Sequence, residues 1–154
     1  MLTSLFVLLI SGCSNLNPKE IPNEVIVIVE LIKNKEKSQE ELREFTKRYS
    51  DYVKSTQPNT LGWTYHDAGD KIILIERYKN EDANIVTAKN ISPGGNRYKL
   101  LQESFNYHTL AKVTVIGGFT QKLIDFNKMT AEKVGFTAPF VYYPLISGYS
   151  KNSK

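Results

Sequence analysis

The chain has 154 residues, 41% hydrophobic and 23% charged, with a formal net charge of +4. That length supports one domain with a real core and is short for two, and the composition excludes wholesale disorder. The positive excess is spread over lysines such as Lys33, Lys35, Lys37, Lys47 and Lys54. It reads as a solvated surface, so no nucleic-acid partner is expected. The single cysteine, Cys13, excludes an intrachain disulfide and a cysteine-based metal cluster.

Met1 to Gly12 (MLTSLFVLLISG) is an apolar run the length of a signal-peptide core, too short to span a bilayer comfortably. It closes on Ile10-Ser11-Gly12-Cys13, which resembles the bacterial lipobox: an aliphatic residue, two small residues and the cysteine that receives lipid. The resemblance implies that residues 1–13 form a signal peptide with Cys13 as the lipidation site, and that the mature protein sits in the bacterial cell envelope through a lipid anchor. Ser14, a non-acidic residue after the cysteine, would favour the outer membrane in a diderm cell. One departure is that no Lys or Arg precedes the apolar run. Residues 14–23 (SNLNPKEIPN), with two prolines, read as a tether, leaving residues 24–150 for the folded domain.

Glu24 to Ile32 is apolar on both alternating faces except at Glu30, the pattern of a strand covered on both sides. Ser38-Gln39-Glu40-Glu41 forms a capping box, and the helix it opens places Leu42, Phe45, Tyr49 and Val53 on one stripe. Leu61 to Tyr78 (LGWTYHDAGDKIILIERY) reads as a β-hairpin. Its first strand puts Leu61, Trp63 and Tyr65 on one face and Thr64 and His66 on the other; its second is aliphatic on both faces, with Glu76 and Tyr78 aligned with Ile72 and Leu74. Asn80 caps a short helix from Glu81, Ser92-Pro93-Gly94-Gly95 is a loop, and Tyr98 to Phe105 is one or two helical turns. Tyr107 to Phe119 alternates with Ala111, Val113 and Val115 on one side, as an edge strand would. Gln121 to Val134 is a further helix, and the last strand, FTAPFVYYPLISGY, carries two prolines that suit an edge or a partner-facing position.

The order is β-α-β-β-α-β with an appended helix and strand, so an α+β ferredoxin-like fold is expected. In that sheet the first and third strands are central, and these are the two apolar on both faces. Two helices cover one sheet face; the other must meet something else, and a second copy of the sheet is the economical answer. A ligand or the third helix over that face is the monomeric alternative. The strand VIVIVELI, the segment PNTLGWTYH, the run IILIERYKNEDA and the strand TLAKVTVIGGF together resemble the antibiotic biosynthesis monooxygenase family over roughly Glu24 to Phe119. The resemblance implies a dimeric α/β-barrel of ferredoxin-like protomers, hence a homodimer, and cofactor-free oxygenation of a small aromatic or quinol in an aromatic pocket. Family members often carry a histidine in the second helix; this chain has Ile85-Val86-Thr87-Ala88 there, so roles tied to that histidine do not transfer.

Within that frame Glu76 is the candidate base, since a carboxyl buried beside apolar residues has a raised pKa. The competing reading pairs it with a basic group, a lysine or Arg77 of a second copy. His108, opening a strand, is the second catalytic candidate, and Trp63, Tyr65 and Tyr78 are the candidate ligand-binding residues. His66, beside the turn, is expected in solvent. Tyr142 and Tyr143 line a pocket or seal an interface, and Glu30 needs a partner. Two distant histidines and scattered carboxylates give no metal-ligand spacing. No phosphate-binding loop or nucleophile elbow is present, and no cofactor is expected.

Overall fold

The structure is a computed structural model and describes residues 23–148. The proposed lipidation site Cys13, the signal peptide, nearly all of the tether and the polar tail therefore lie outside the described residues. In chain order the elements are β1 (Val25–Lys33), α1 (Gln39–Thr56), β2 (Thr60–Ala68), β3 (Lys71–Tyr78), α2 (Glu81–Ile91), α3 (Tyr98–Ser104), β4 (His108–Gly117), α4 (Gln121–Val134) and β5 (Phe140–Pro144). The strands form one sheet in the order β2-β3-β1-β4-β5. The first four are antiparallel, β5 runs parallel to β4, and the sheet of the single chain stays open. This is the expected ferredoxin-like α+β core with its appended helix and strand.

Local chemistry sets the elements. At the start of α1 the Ser38 hydroxyl accepts from the Glu41 backbone N–H while the Glu41 carboxylate accepts from the Ser38 N–H, so the capping box is complete. Leu42, Phe45, Tyr49 and Val53 form its buried stripe. Asn80 caps α2 through the Ala83 N–H. The hairpin turn is held by the Asp67 carboxylate, which accepts from the Gly69 N–H, with Gly69 at φ 78.

Four expectations are corrected. Strand β4 is interior, because β5 pairs with it inside the same chain from Val113↔Phe140 to Gly117↔Pro144; the appended strand is thus the edge of its own sheet. The third long helix, α4, does not cover the open face. Its Leu123 is fully buried in the same core as Val115 and Val27, so all four helices lie on one side. Leu61 does not share a face with Trp63 and Tyr65. The β2–β3 register shifts between Thr60 and Gly62, and the extra residue, Leu61, points to solvent at 52% exposure. Nor does Ala111 share the alternation of Val113. The β1–β4 register steps from Glu30↔Lys112 to Leu31↔Leu110, leaving Ala111 as the extra residue of a bulge. Beyond it every side chain changes side, so Leu110 and His108 come to the helix-covered face.

That face carries the core. Val25, Val27, Val29 and Leu31 of β1, Ile72 and Leu74 of β3, and Val113 and Val115 of β4 are buried there. The opposite face carries the half-buried Ile26, Ile28, Ile73, Ile75, Ile116 and Val141, with Ile26 opposite Ile116 and Ile28 opposite Ile75, while Ile73 lies opposite Glu30 and Val141 opposite Thr114.

Candidate functional site

Between the sheet and the helices lies a cavity of about 130 Å³. Its floor is β1, β3 and β4 with Trp63 and Tyr65 of β2; Tyr49 of α1, Thr87 of α2, Arg97 just ahead of α3, and Thr130 of α4 close it. Most of the wall is aliphatic or aromatic. The polar groups that enter are few, and several are deeply buried.

Glu76 is 9% exposed and sits directly across from Trp63 in the β2–β3 register. Its carboxylate accepts a 2.5 Å hydrogen bond from the Tyr78 hydroxyl. Burial outweighs that bond and the nearby Arg97 charge, and pushes the Glu76 pKa up to about 7. Among the described residues no lysine forms an ion pair with Glu76, and Arg77 of the same chain points the other way, to Glu24 at 2.6 Å. Tyr78 is fully buried and stands behind Glu76, not in the cavity wall, so it reaches a ligand only through that carboxyl. Burial, then the adjoining Glu76, raises the Tyr78 pKa well above that of a free phenol.

Trp63 and Tyr65 both line the cavity, as expected of ligand-binding residues. The Trp63 ring stacks on Tyr49 at 5.6 Å with an interplanar angle of 11°. Burial raises the Tyr49 pKa to about 12 and moves Tyr65 in the same direction, so both hydroxyls stay protonated at neutral pH. His108 reaches the cavity because of the Ala111 bulge, and burial lowers its pKa to about 4. It is a neutral imidazole at pH 7, suited to hydrogen bonding rather than to carrying charge.

Arg97 was not among the sequence-based candidates. It is 1% exposed, in a chain whose other arginines lie nearer the surface. Its guanidinium carbon sits 5.0 Å from the Trp63 ring centre and 5.6 Å from that of Tyr49. The loop that delivers it is tight. Gly95 N donates to Ser92 O and Arg97 N donates to Asn90 O, while the Tyr52 hydroxyl ties Asn96 O to α1. A Cβ on Gly95 would lie 2.4 Å from the carbonyl oxygens of both Lys89 and Asn90, so only glycine lets the loop close onto the end of α2. The glycine pair that matched no phosphate-binding motif thus has a role in placing Arg97. No periodic pattern in the sequence marks an arginine buried from a loop.

Among the described residues, Arg97 Nε and Nη1 and His108 Nδ1 are buried without a hydrogen-bond partner, and Trp63 Nε1 and Thr87 Oγ1 meet none in good geometry, although each lies near a tyrosine hydroxyl, that of Tyr65 and that of Tyr78 respectively. All belong to residues lining this one cavity. Unpartnered buried polar groups are costly, and their convergence marks where a polar ligand would be received. The other candidates lie elsewhere. His66 is exposed and bonds Thr64. Glu30 faces the open side and pairs with Lys71 at 3.2 Å and Lys112 at 3.9 Å. Tyr142 packs on Phe119 on the helix side, whereas Tyr143 is 56% exposed. Among the described residues no three His, Cys, Asp or Glu side chains gather as a metal site, and no helix is long and apolar enough to cross a membrane.

These features define an α+β domain of ferredoxin-like topology with a cavity between its sheet and its helices. The chain is similar in fold to the crystal structure of MupZ from Pseudomonas fluorescens, with a TM-score of 0.59 and 14% identity over 84% of this chain and 96% of that one. No family model matches the sequence, and no curated protein does.

Proposed function

We propose that the cavity binds a single-ring phenol or quinol and prepares it for cofactor-independent oxygenation, Glu76 taking the hydroxyl proton. The observation that carries this reading is a carboxyl with a pKa of about 7 in an aromatic-lined cavity where the unpartnered polar atoms converge. Such a carboxyl is part ionised near neutrality, where a base works best. A phenol free at its para position and O₂ would give a para-quinone and water, and the electron-rich phenolate is the form that meets O₂. The resemblance to the antibiotic biosynthesis monooxygenase family supports the reaction type. Size supports the substrate class: a cavity of roughly 150 Å³ takes one benzene ring, close to the volume here. The test is oxygen uptake by the purified protein with single-ring phenols unsubstituted at the para position, in air. Uptake that depends on substrate and falls at least tenfold in Glu76→Gln is expected; none above background defeats the enzymatic reading. The second reading, a lipoprotein that holds such a ligand without turnover, is favoured by the neutral His108, which leaves Glu76 without a second group titrating near neutrality. Tight binding without oxygen uptake would select it.

The same proposal places the protein at the bacterial envelope through Cys13, as a homodimer joined by the open sheet faces. The apolar Ile26, Ile28, Ile73, Ile75 and Ile116 patch supports the dimer. Cys13→Ala should release the protein from the membrane fraction, and fractionation that does not change would refute the anchor.

A further inference from the structure

We infer that the cavity is an oxyanion site anchored by Arg97, and that it holds the phenol or quinol of the preceding reading as its conjugate base. The inference rests on that reading for the ligand's aromatic body. Its charge follows from Arg97 itself.

A guanidinium cannot shed its proton to relieve burial, so a buried arginine needs an anion or a dense set of acceptors. Arg97 has neither. Its Nη2 donates one long bond, 3.4 Å, to Thr87 O, and its Nε and Nη1 donate to nothing. No carboxylate of the described residues lies within ion-pair distance of it. The Trp63 and Tyr49 ring faces offset part of the cost and exclude water from that side.

The titratable groups around it are Tyr49 from α1, Tyr65 from β2, Glu76 and Tyr78 from β3, and His108 from β4. The tyrosines and the histidine are neutral at pH 7. Glu76 alone can supply negative charge, and burial holds back its ionisation. The lining by itself therefore carries an incompletely neutralised cation walled by aromatic rings.

A ligand hydroxyl completes the balance. Its O–H bond breaks, a new O–H bond forms on the Glu76 carboxylate, and the phenolate becomes the counter-ion that Arg97 lacks, carrying the negative charge that Glu76 gives up. Trp63 Nε1, Thr87 Oγ1 and the neutral His108 are among the lining groups able to donate to that oxygen. Total charge in the cavity does not change, which makes the transfer inexpensive in a low-dielectric setting. A second anionic group on the ligand would spoil this balance, so monoanions are preferred over dianions.

The probe is 4-nitrophenol, whose visible absorbance reports its ionisation, titrated against the purified full chain across the pH range around its own pKa. The expected result is a bound pKa at least one unit below the free value, that is, a tenfold or greater preference for nitrophenolate over nitrophenol. Arg97→Gln should abolish this preference and Arg97→Lys should retain part of it. A wild-type pKa that is unchanged or raised on binding overturns the inference even if both variants fail to fold, as does an Arg97→Gln protein that keeps the preference. Failure to bind the probe also overturns it. Oxygen uptake is read separately. Phenolate binding without uptake leaves the anion site standing and removes oxygenation, whereas uptake with no pKa depression does the reverse.

Discussion

The two faces of the sheet are built from the same strands and the same aliphatic residues, yet they are in opposite states. On the helix-covered face Val25, Val27, Tyr78 and Val115 are at most 5% exposed, and polar atoms are left without partners around a cavity. On the open face these isoleucines are only half-buried, and the carboxylate among them, Glu30, already has Lys71 and Lys112. Apolar area without a cover and charge without a partner are different deficits. The first is relieved by a second apolar surface and the second by a small polar ligand. On that difference, the proposed association belongs to the open face and the proposed chemistry to the covered one.

Substitutions that set the faces against each other test it. Phe45→Ala strikes the covered face beneath α1, where Phe45 is 1% exposed and stacks on Tyr107 at 4.2 Å. A loss of about 3–5 kcal/mol of unfolding free energy is expected, measured by urea denaturation. A loss below about 1 kcal/mol would mean that α1 is loosely docked.

The next effect is a pair of opposed pH dependences in the cavity. Glu76 has a folded pKa raised from 4.5 to about 7. Its contribution is thus fully present below pH 4.5 and lost as pH rises through 7, by about 3 kcal/mol at 1.36 kcal/mol per unit. His108 has a folded pKa lowered from 6.5 to about 4. Its contribution is present above pH 6.5 and lost as pH falls through 4, to a similar extent. Between pH 4.5 and 6.5 the two slopes oppose, so the wild type should be nearly flat. Glu76→Gln should expose a stability that climbs with pH, and His108→Gln one that declines. Parallel profiles for all three proteins would show that neither group is buried as described.

On the open face, Ile75→Asp should leave monomer stability within about 1 kcal/mol but weaken association a hundredfold or more, about 2.8 kcal/mol, by light scattering or sedimentation. A wild-type protein that is strictly monomeric at micromolar concentration would remove the role of this face. The smallest effect concerns neither face directly. Ser38→Ala should cost about 1 kcal/mol through the lost cap of α1. It calibrates the others, because it alters the helix end without touching cavity or patch.

Most element positions could be read from the chain because the signals are local. The Ser38–Glu41 box, the Asn80 cap and the Asp67–Gly69 turn depend on neighbours within three residues, and the helical stripe of α1 on its own periodicity. The strand order followed from which runs were apolar on both faces, a property of residues β1 and β3 own outright. Glu76 stood out because a carboxylate in an otherwise aliphatic strand is anomalous wherever the strand lies. Trp63 and Tyr65 were legible for the same reason, as aromatics alternating on one edge strand.

What the sequence could not decide is what depends on register and on a loop's path. Two extra residues, Leu61 and Ala111, each switch the side of everything beyond them, and nothing in their chemistry marks them as bulges. His108 enters the cavity only because of the second. Likewise β5 joins its own β4 rather than a partner, since the choice between those edges is a matter of geometry and not of residue type. Arg97 lies deepest in this class: a surface-type residue in a loop, buried because Gly95 allows that loop to fold onto α2 and because Tyr49 and Trp63 close over it. By itself the sequence determined the ferredoxin-like frame and one acid within it. The tertiary structure decided that the acid faces an unpaired cation across a cavity, because burial and charge pairing belong to positions in space and not to residues in a row.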